Sequence, residues 1–139
     1  MNKCVLIIED DKLLAEVYQR SLNSENIEAV VAHNSTTALS LLKKRPINFI
    51  ILDIVLGDCN GFEFLKKLRR QLGFNSISIL IVTGLNTDEI GLNKELCVSL
   101  NIVGIYTKSQ FAISKLVEVV KFGLDKNEPA WIEWLCDWP

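Results

Sequence analysis

The chain has 139 residues, 49% of them hydrophobic and 23% charged, which suits one domain with an ample core and argues against intrinsic disorder. A formal net charge of −2 argues against a globally basic nucleic-acid binder, whose phosphate contacts need surplus Lys and Arg. No apolar run reaches the ~18–20 residues of a membrane span, and Glu9, Asp10 and Asp11 come too early for a signal-peptide core, so the expectation is a cytoplasmic chain without a membrane segment.

Short apolar runs alternate with helical spacing along the chain. Cys4 to Ile8 is a continuous apolar run stopped by three acids, the pattern of a strand buried on both faces. Leu13, Leu14, Val17, Tyr18 and Leu22 follow helical spacing, with Asp10 or Asp11 as the cap. A second strand is predicted over Ile27 to Ala32, and Asn34 or Ser35 can cap a helix holding Ala38, Leu39, Leu41 and Leu42, which Pro46 ends. A third strand runs from Phe49 to Asp53. Asn60 and Gly61 then break the chain before a helix with Phe62, Leu65 and Leu68, which Gly73 ends. A fourth strand covers Ile77 to Val82, followed by Thr83-Gly84, and a helix is predicted around Asp88 to Leu100. The fifth strand is Ile102 to Thr107. Ser109 is the candidate cap of a last helix with the stripe Ile113, Leu116, Val117 and Val120, and Gly123 is its expected terminator.

Five strand–helix pairs imply an α/β domain, a doubly wound five-stranded parallel sheet with helices on both faces. Residues 1–123 form the expected domain and 124–139 a short tail. In that tail Trp131, Trp134, Leu135 and Trp138 share one helical face. The expectation for this face is a short helix docked on its own domain, with a contact to a partner or a second copy as the sharper alternative. Glu133 and Asp137 argue against a membrane-surface helix. Cys4, Cys59, Cys97 and Cys136 are far apart and form no CxxC, so they are expected to be reduced thiols, and the lone His33 argues against a zinc site. His33 is expected in a strand-to-helix connection without a catalytic role.

Ligands of open α/β sheets bind beyond the carboxyl ends of the strands. There the chain places Glu9, Asp10 and Asp11, then Asp53, Thr83 and Lys108. Carboxylates this close repel one another, and a divalent cation with hard oxygen ligands, Mg²⁺ by chemistry, offsets that repulsion. A carboxylate beside it can attack phosphorus, with Lys108 and Thr83 supporting the transferring group. Each residue alone reads more simply as a helix cap, a turn acid or a solvated lysine. Their meeting at four strand ends favours the functional reading.

Four motifs, in order on matching elements, resemble the response-regulator receiver domain of two-component signalling over about residues 3–122. They are Val5 to Asp11, Asp53 to Gly61 with Asn60-Gly61, Ile81-Val82-Thr83-Gly84, and Tyr106-Thr107-Lys108. The resemblance implies that Asp53 accepts a phosphoryl group from a histidine kinase or histidine phosphotransfer protein. It implies that Glu9, Asp10, Asp53 and the Val55 carbonyl hold Mg²⁺, with Asp11 assisting through water or capping the first helix. Thr83 and Lys108 would engage the phosphoryl group. Its added charge, roughly −1.5 to −2, would shift the face of the fourth helix, fifth strand and fifth helix towards a downstream protein partner or a homodimer. Self-phosphorylation from a small phosphodonor is expected, and no direct nucleic-acid contact.

Departures from the family pattern fall beside these residues. Gly57 stands where the family has Pro, which should loosen the loop, and Gly84 stands for Ala. Ser109 stands for Pro after the lysine, which puts the cis peptide often found there in doubt. The switch aromatic three residues before the lysine is Ile105, with Tyr106 one place later and so expected on the opposite face unless a bulge shifts the register. Val55 and Leu85, at the two positions that tune dephosphorylation in the family, can neither orient nor activate water, so a persistent phosphoaspartate is expected. The competing class is a phosphorylation-independent interaction module on the same fold. An aspartyl phosphatase is disfavoured because Val55 stands where its second Asp would be. A dinucleotide or flavin site is disfavoured because three acids follow strand one.

Overall fold

The computed structural model describes residues 3–70, 73–74, 76–85, 94–110 and 112–125. In chain order these form β1 (Cys4–Ile8), α1 (Lys12–Ser24), β2 (Glu28–Ala32), α2 (Ser35–Lys44), β3 (Phe49–Leu52), α3 (Gly61–Arg70), β4 (Ser78–Thr83), α4 (Lys94–Ser99), β5 (Ile102–Thr107) and α5 (Ile113–Asp125). The strands make one parallel sheet in the order β2-β1-β3-β4-β5. This is the flavodoxin-like doubly wound architecture expected from the alternating pattern.

The apolar runs are unbroken because both faces of the sheet are covered. Leu6, Ile8, Ile50, Leu52, Ile79 and Ile81 pack with Ala38 and Leu42 of α2, Phe64, Leu65 and Leu68 of α3, and Cys97 of α4. Their neighbours Val5, Ile7, Phe49, Ile51, Leu80 and Val82 pack with Ala15, Tyr18 and Leu22 of α1 and Leu116, Val119 and Val120 of α5. Alternate residues of one strand thus serve opposite layers.

Local capping settles the open choices. Asp11 caps α1, its side chain accepting from the Leu14 N–H at 3.1 Å. Asn34, rather than Ser35, caps α2 by accepting from the Thr37 N–H at 2.8 Å. Arg45 is extended before Pro46, as the proline ring requires, and Gly73 takes a left-handed φ of 73°.

Two boundary expectations fail. Ser109 does not cap the last helix, because it lies in a 3-10 turn over Lys108–Gln110 and α5 begins only at Ile113. Gly123 does not end α5, which continues to Asp125 and so crosses the sequence boundary drawn at 123. Its absent side chain serves packing instead: a Cβ there would lie 2.4 Å from the fully buried Phe49 ring. The missing methyl lets α5 approach β3 closely. Lys3 then ties down the helix end, donating to the Leu124 carbonyl at 2.6 Å.

At the amino end of the sheet, α3 contributes a half-buried Arg69. Its Nε donates to the Leu100 carbonyl at 2.9 Å, and its terminal nitrogens donate to the carbonyls of Phe74 and Ile77. Burial pulls its pKa down to about 10, which still leaves the guanidinium charged at neutral pH.

β5 carries a bulge. Ile79 pairs with Ile102 but Leu80 pairs with Gly104, so Val103 is the extra residue. The helix expected over Asp88 to Leu100 is described from Lys94 to Ser99, and residues 86–93 lie outside the described residues. So do Cys136 and the tail face of Trp131, Trp134, Leu135 and Trp138.

Candidate functional site

Parallel register brings the acids together. Ile8 pairs with Leu52, so the residues that follow, Glu9 and Asp53, leave adjacent strands at the same level. The Asp53 N–H continues the ladder to the Ile8 carbonyl at 3.0 Å, and the Glu9 N–H does the same to Ala32. Carboxylate oxygens of Glu9, Asp10 and Asp53 all lie within 4.8 Å of one another. Glu9 and Asp53 are buried, while Asp10 is exposed. Asp11 stands outside this group and caps α1.

Lys108 reaches the acids from the end of β5. Its Nζ lies 2.7 Å from Glu9 Oε1 and 2.9 Å from Asp53 Oδ2. Burial works against its charge, but the two carboxylates outweigh that and hold its pKa above the ordinary lysine value. Burial pushes the Glu9 carboxyl up to about 7; the Lys108 hydrogen bond pulls it back and Asp53 pushes it further up. Tyr18, buried beneath the acids, is pushed up to about 12 by burial and then by the charge of Glu9.

The Glu9 shift has a thermodynamic consequence. The unfolded glutamate releases its proton near 4.5 and the folded one near 7, so the folded state binds more protons between those values. Stability of the metal-free protein is therefore expected to fall as pH rises from about 5 to 8, by on the order of 1–3 kcal/mol. Urea midpoints at the two pH values, with chelator present, measure this. The slope should flatten in Glu9→Gln, and an unchanged midpoint in the wild type would refute it.

The other predicted residues surround this cluster. Thr83 is fully buried at the end of β4, beside Thr107 and one position from Lys108. Its hydroxyl oxygen accepts the Leu85 N–H at 3.2 Å, so its proton stays available to a further acceptor. The Val55 N–H donates to Asp53 Oδ1 at 3.0 Å, and the Val55 side chain is half exposed at the mouth. Leu85 packs partly against the core. The Lys108–Ser109 peptide is trans.

The loop behind Asp53 is short and closed at its neck. Val55 and Asn60 form an antiparallel bridge, and the Gly61 N–H donates to the Ile54 carbonyl at 2.6 Å. Asn60 accepts the Phe62 N–H at 2.7 Å, which starts α3. A Cβ on Gly61 would lie 2.5 Å from the Asp53 carbonyl oxygen and 2.8 Å from Ile54 Cα. The glycine is thus a steric requirement of the site.

Beyond the bulge, Ile105 is buried on the layer of α2, α3 and α4, while Tyr106 packs on the layer of α1 and α5. A bulge is indeed present, yet Tyr106 still faces away from α4. His33 lies in the β2–α2 connection as expected, with Nδ1 3.0 Å from the Glu9 carbonyl oxygen. Cys4 and Cys97 are buried and Cys59 is half-buried, and none of the three is in a disulfide. Sequence reasoning missed Asp58 and Ser35, whose side chains meet at 2.6 Å beside the site. Twenty-three residues separate them, and no local pattern marks such a contact. No helix among the described residues is long and apolar enough to cross a membrane.

Comparison with known proteins agrees with this geometry. A family model for the response regulator receiver domain matches residues 5–121. The regulatory protein NisR for nisin biosynthesis, from Lactococcus lactis subsp. lactis, is 26% identical over 125 residues, covering 89% of this chain and 51% of that protein. The uncharacterized transcriptional regulatory protein YkoG of Bacillus subtilis is 27% identical over 131 residues, covering 88% and 51%. The chain thus spans about half the length of these curated relatives. Among solved structures, the Francisella response regulator 1452 receiver domain matches with a TM-score of 0.77 at 25% identity, covering 91% of this chain and 100% of that one. The chemotaxis response regulator CheY4 of Vibrio cholerae shares the fold, with a TM-score of 0.75 at 23% identity, covering 89% and 100%. With the family match spanning most of the sequence and the strand-end cluster in place, the chain belongs to the response regulator receiver domain family.

Proposed function

We propose that the chain accepts a phosphoryl group on Asp53 from a histidine kinase or histidine phosphotransfer protein and signals through altered protein–protein contacts. The observation that carries this reading is Lys108, whose ammonium lies 2.9 Å from Asp53 and 2.7 Å from Glu9. Two buried carboxylates alone would tend to neutralise. Here a lysine offsets part of their charge at the mouth of the sheet, where charge develops during phosphoryl transfer.

The donor set fits Mg²⁺. Glu9, Asp10 and Asp53 offer hard oxygens within one small cluster, and the Val55 carbonyl is the fourth protein ligand by family resemblance. Such a cation, when bound, would offset the negative charge of the incoming phosphoryl group. The rest falls to the chain. An Asp53 carboxylate oxygen attacks phosphorus and forms the new O–P bond. The P–N bond of the donor phosphohistidine breaks, and its electron pair leaves on the imidazole nitrogen. Lys108 supports charge on the transferring oxygens, and the Thr83 hydroxyl donates from the neighbouring strand. Val55 and Leu85 present only apolar side chains, so no group at these positions activates water against the acyl phosphate. The proposed setting is cytoplasmic, with protein partners and no direct contact to nucleic acid.

Intact mass after incubation with Mg²⁺ and acetyl phosphate tests this, acetate being the leaving group. Wild type is expected to gain one phosphoryl group that outlasts seconds, and Asp53→Ala none. A folded, Mg²⁺-binding wild type without the gain would overturn the reading in favour of a phosphorylation-independent interaction module. The placement of Tyr106 away from α4 is the observation that favours that alternative.

A further inference from the structure

We infer that Asp58 is a positioning residue that acts through Ser35 to hold the Asp53 loop against the β2–α2 connection; this rests on the phosphoacceptor reading above. The loop between β3 and α3 has an anchored neck and an unanchored tip. Leu56 is buried, but at Gly57 even an added Cβ would meet nothing within 4 Å. Asp58, the next residue, reaches across to the first residue of α2. Its Oδ2 accepts the Ser35 hydroxyl at 2.6 Å and the Ser35 N–H at 3.1 Å, and Oδ1 lies 3.3 Å from the same N–H. The cap residue Asn34 serves Thr37, so Asp58 supplies the acceptor that Ser35 needs. A negative charge at this helix start is also favourable. The Ser35 hydroxyl accordingly holds the Asp58 carboxyl below its ordinary range.

The contact matters because of what lies on each side of it. Two residues before Ser35, the His33 ring holds the Glu9 carbonyl. Five residues before Asp58 is Asp53, which meets Glu9 again through Lys108. Asp58–Ser35 therefore closes a ring of contacts that runs from the Asp53 loop through α2 and β1 and back through Lys108. That ring acts on what the β1–β3 register leaves open, the placement of the loop that carries the Val55 backbone, since the register itself spaces the two buried carboxylates. It also takes over restraint where Gly57 provides none. Because Asp58 is exposed, the contact should contribute little to global stability. Positioning and folding are therefore separable.

The experiment is calorimetric Mg²⁺ titration of the full chain, with thermal unfolding measured alongside, for wild type, Asp58→Ala, Ser35→Ala, the double variant and Ser35→Thr. Loss of an outer partner of a ligand-bearing loop should weaken Mg²⁺ binding about 10-fold. The double variant should be no worse than Asp58→Ala, Ser35→Thr should keep wild-type affinity, and melting should hardly change. Affinity within two-fold of wild type in Asp58→Ala, or effects that add fully in the double variant, would overturn the inference. A wild type that binds Mg²⁺ but takes no phosphoryl group would overturn the phosphoacceptor reading alone, since the binding comparison still decides the role of Asp58.

Discussion

Gly61→Ala is expected to cost about 1–3 kcal/mol of stability and to slow phosphorylation from acetyl phosphate by at least ~10-fold. The added methyl would sit 2.5 Å from the Asp53 carbonyl oxygen, 2.8 Å from Ile54 Cα and 3.0 Å from the Ile54 carbonyl oxygen. All three are backbone atoms, so no rotamer change relieves the clash. Either α3 moves off the loop or the Asp53 backbone moves out of register with Glu9. The neck hydrogen bond from Gly61 to Ile54 is strained in both cases. Gly57→Ala is the control, since its methyl meets nothing within 4 Å and should change stability by less than ~0.5 kcal/mol. Urea unfolding and a timed mass assay measure both quantities. A Gly61→Ala protein with wild-type stability and rate would show that the loop relaxes without disturbing Asp53.

Arg69→Met should destabilise by about 2–4 kcal/mol while leaving acetyl phosphate chemistry unchanged. The guanidinium serves three carbonyls, from Leu100, Phe74 and Ile77, at the edge of the sheet opposite the carboxylates. Methionine matches the apolar stem but leaves those acceptors without their donor. Arg69→Lys should fall between, because one ammonium cannot span the planar fork. Urea midpoints report the loss, and amide exchange near Leu100 reports where it opens. A loss under ~1 kcal/mol would mean that other donors readily replace the side chain.

The legible part of the molecule is what local chemistry determines. Unbroken apolar runs such as Phe49 to Leu52 announce strands covered on both faces. Asp11 and Asn34 stand where caps belong. The residues Glu9, Asp10, Asp53, Thr83 and Lys108 could be grouped because a parallel sheet delivers every strand end to one edge. What could not be read depends on distant partners. Gly123 looks like a helix terminator until Phe49 is seen against it. Arg69 is one of several basic residues at the end of α3, and only the tertiary fold shows that it alone turns inward onto Leu100, Phe74 and Ile77. Asp58 meets Ser35 only after two βα units have assembled. Ser109 has the chemistry of a cap, but the chain spends Lys108–Gln110 on a tight turn before α5 starts.

The extra residue in β5 bears on any attempt to transplant function between relatives. Val103 inverts the in–out phase of everything after it, so Ile105 faces the α4 layer and Tyr106 the α1–α5 layer. An engineer seeking to install an aromatic lever beneath α4 should build it at position 105 and leave Tyr106 alone. A chimera joined upstream of Gly104 would inherit a different phase from one joined downstream, even with every residue name in the graft the same.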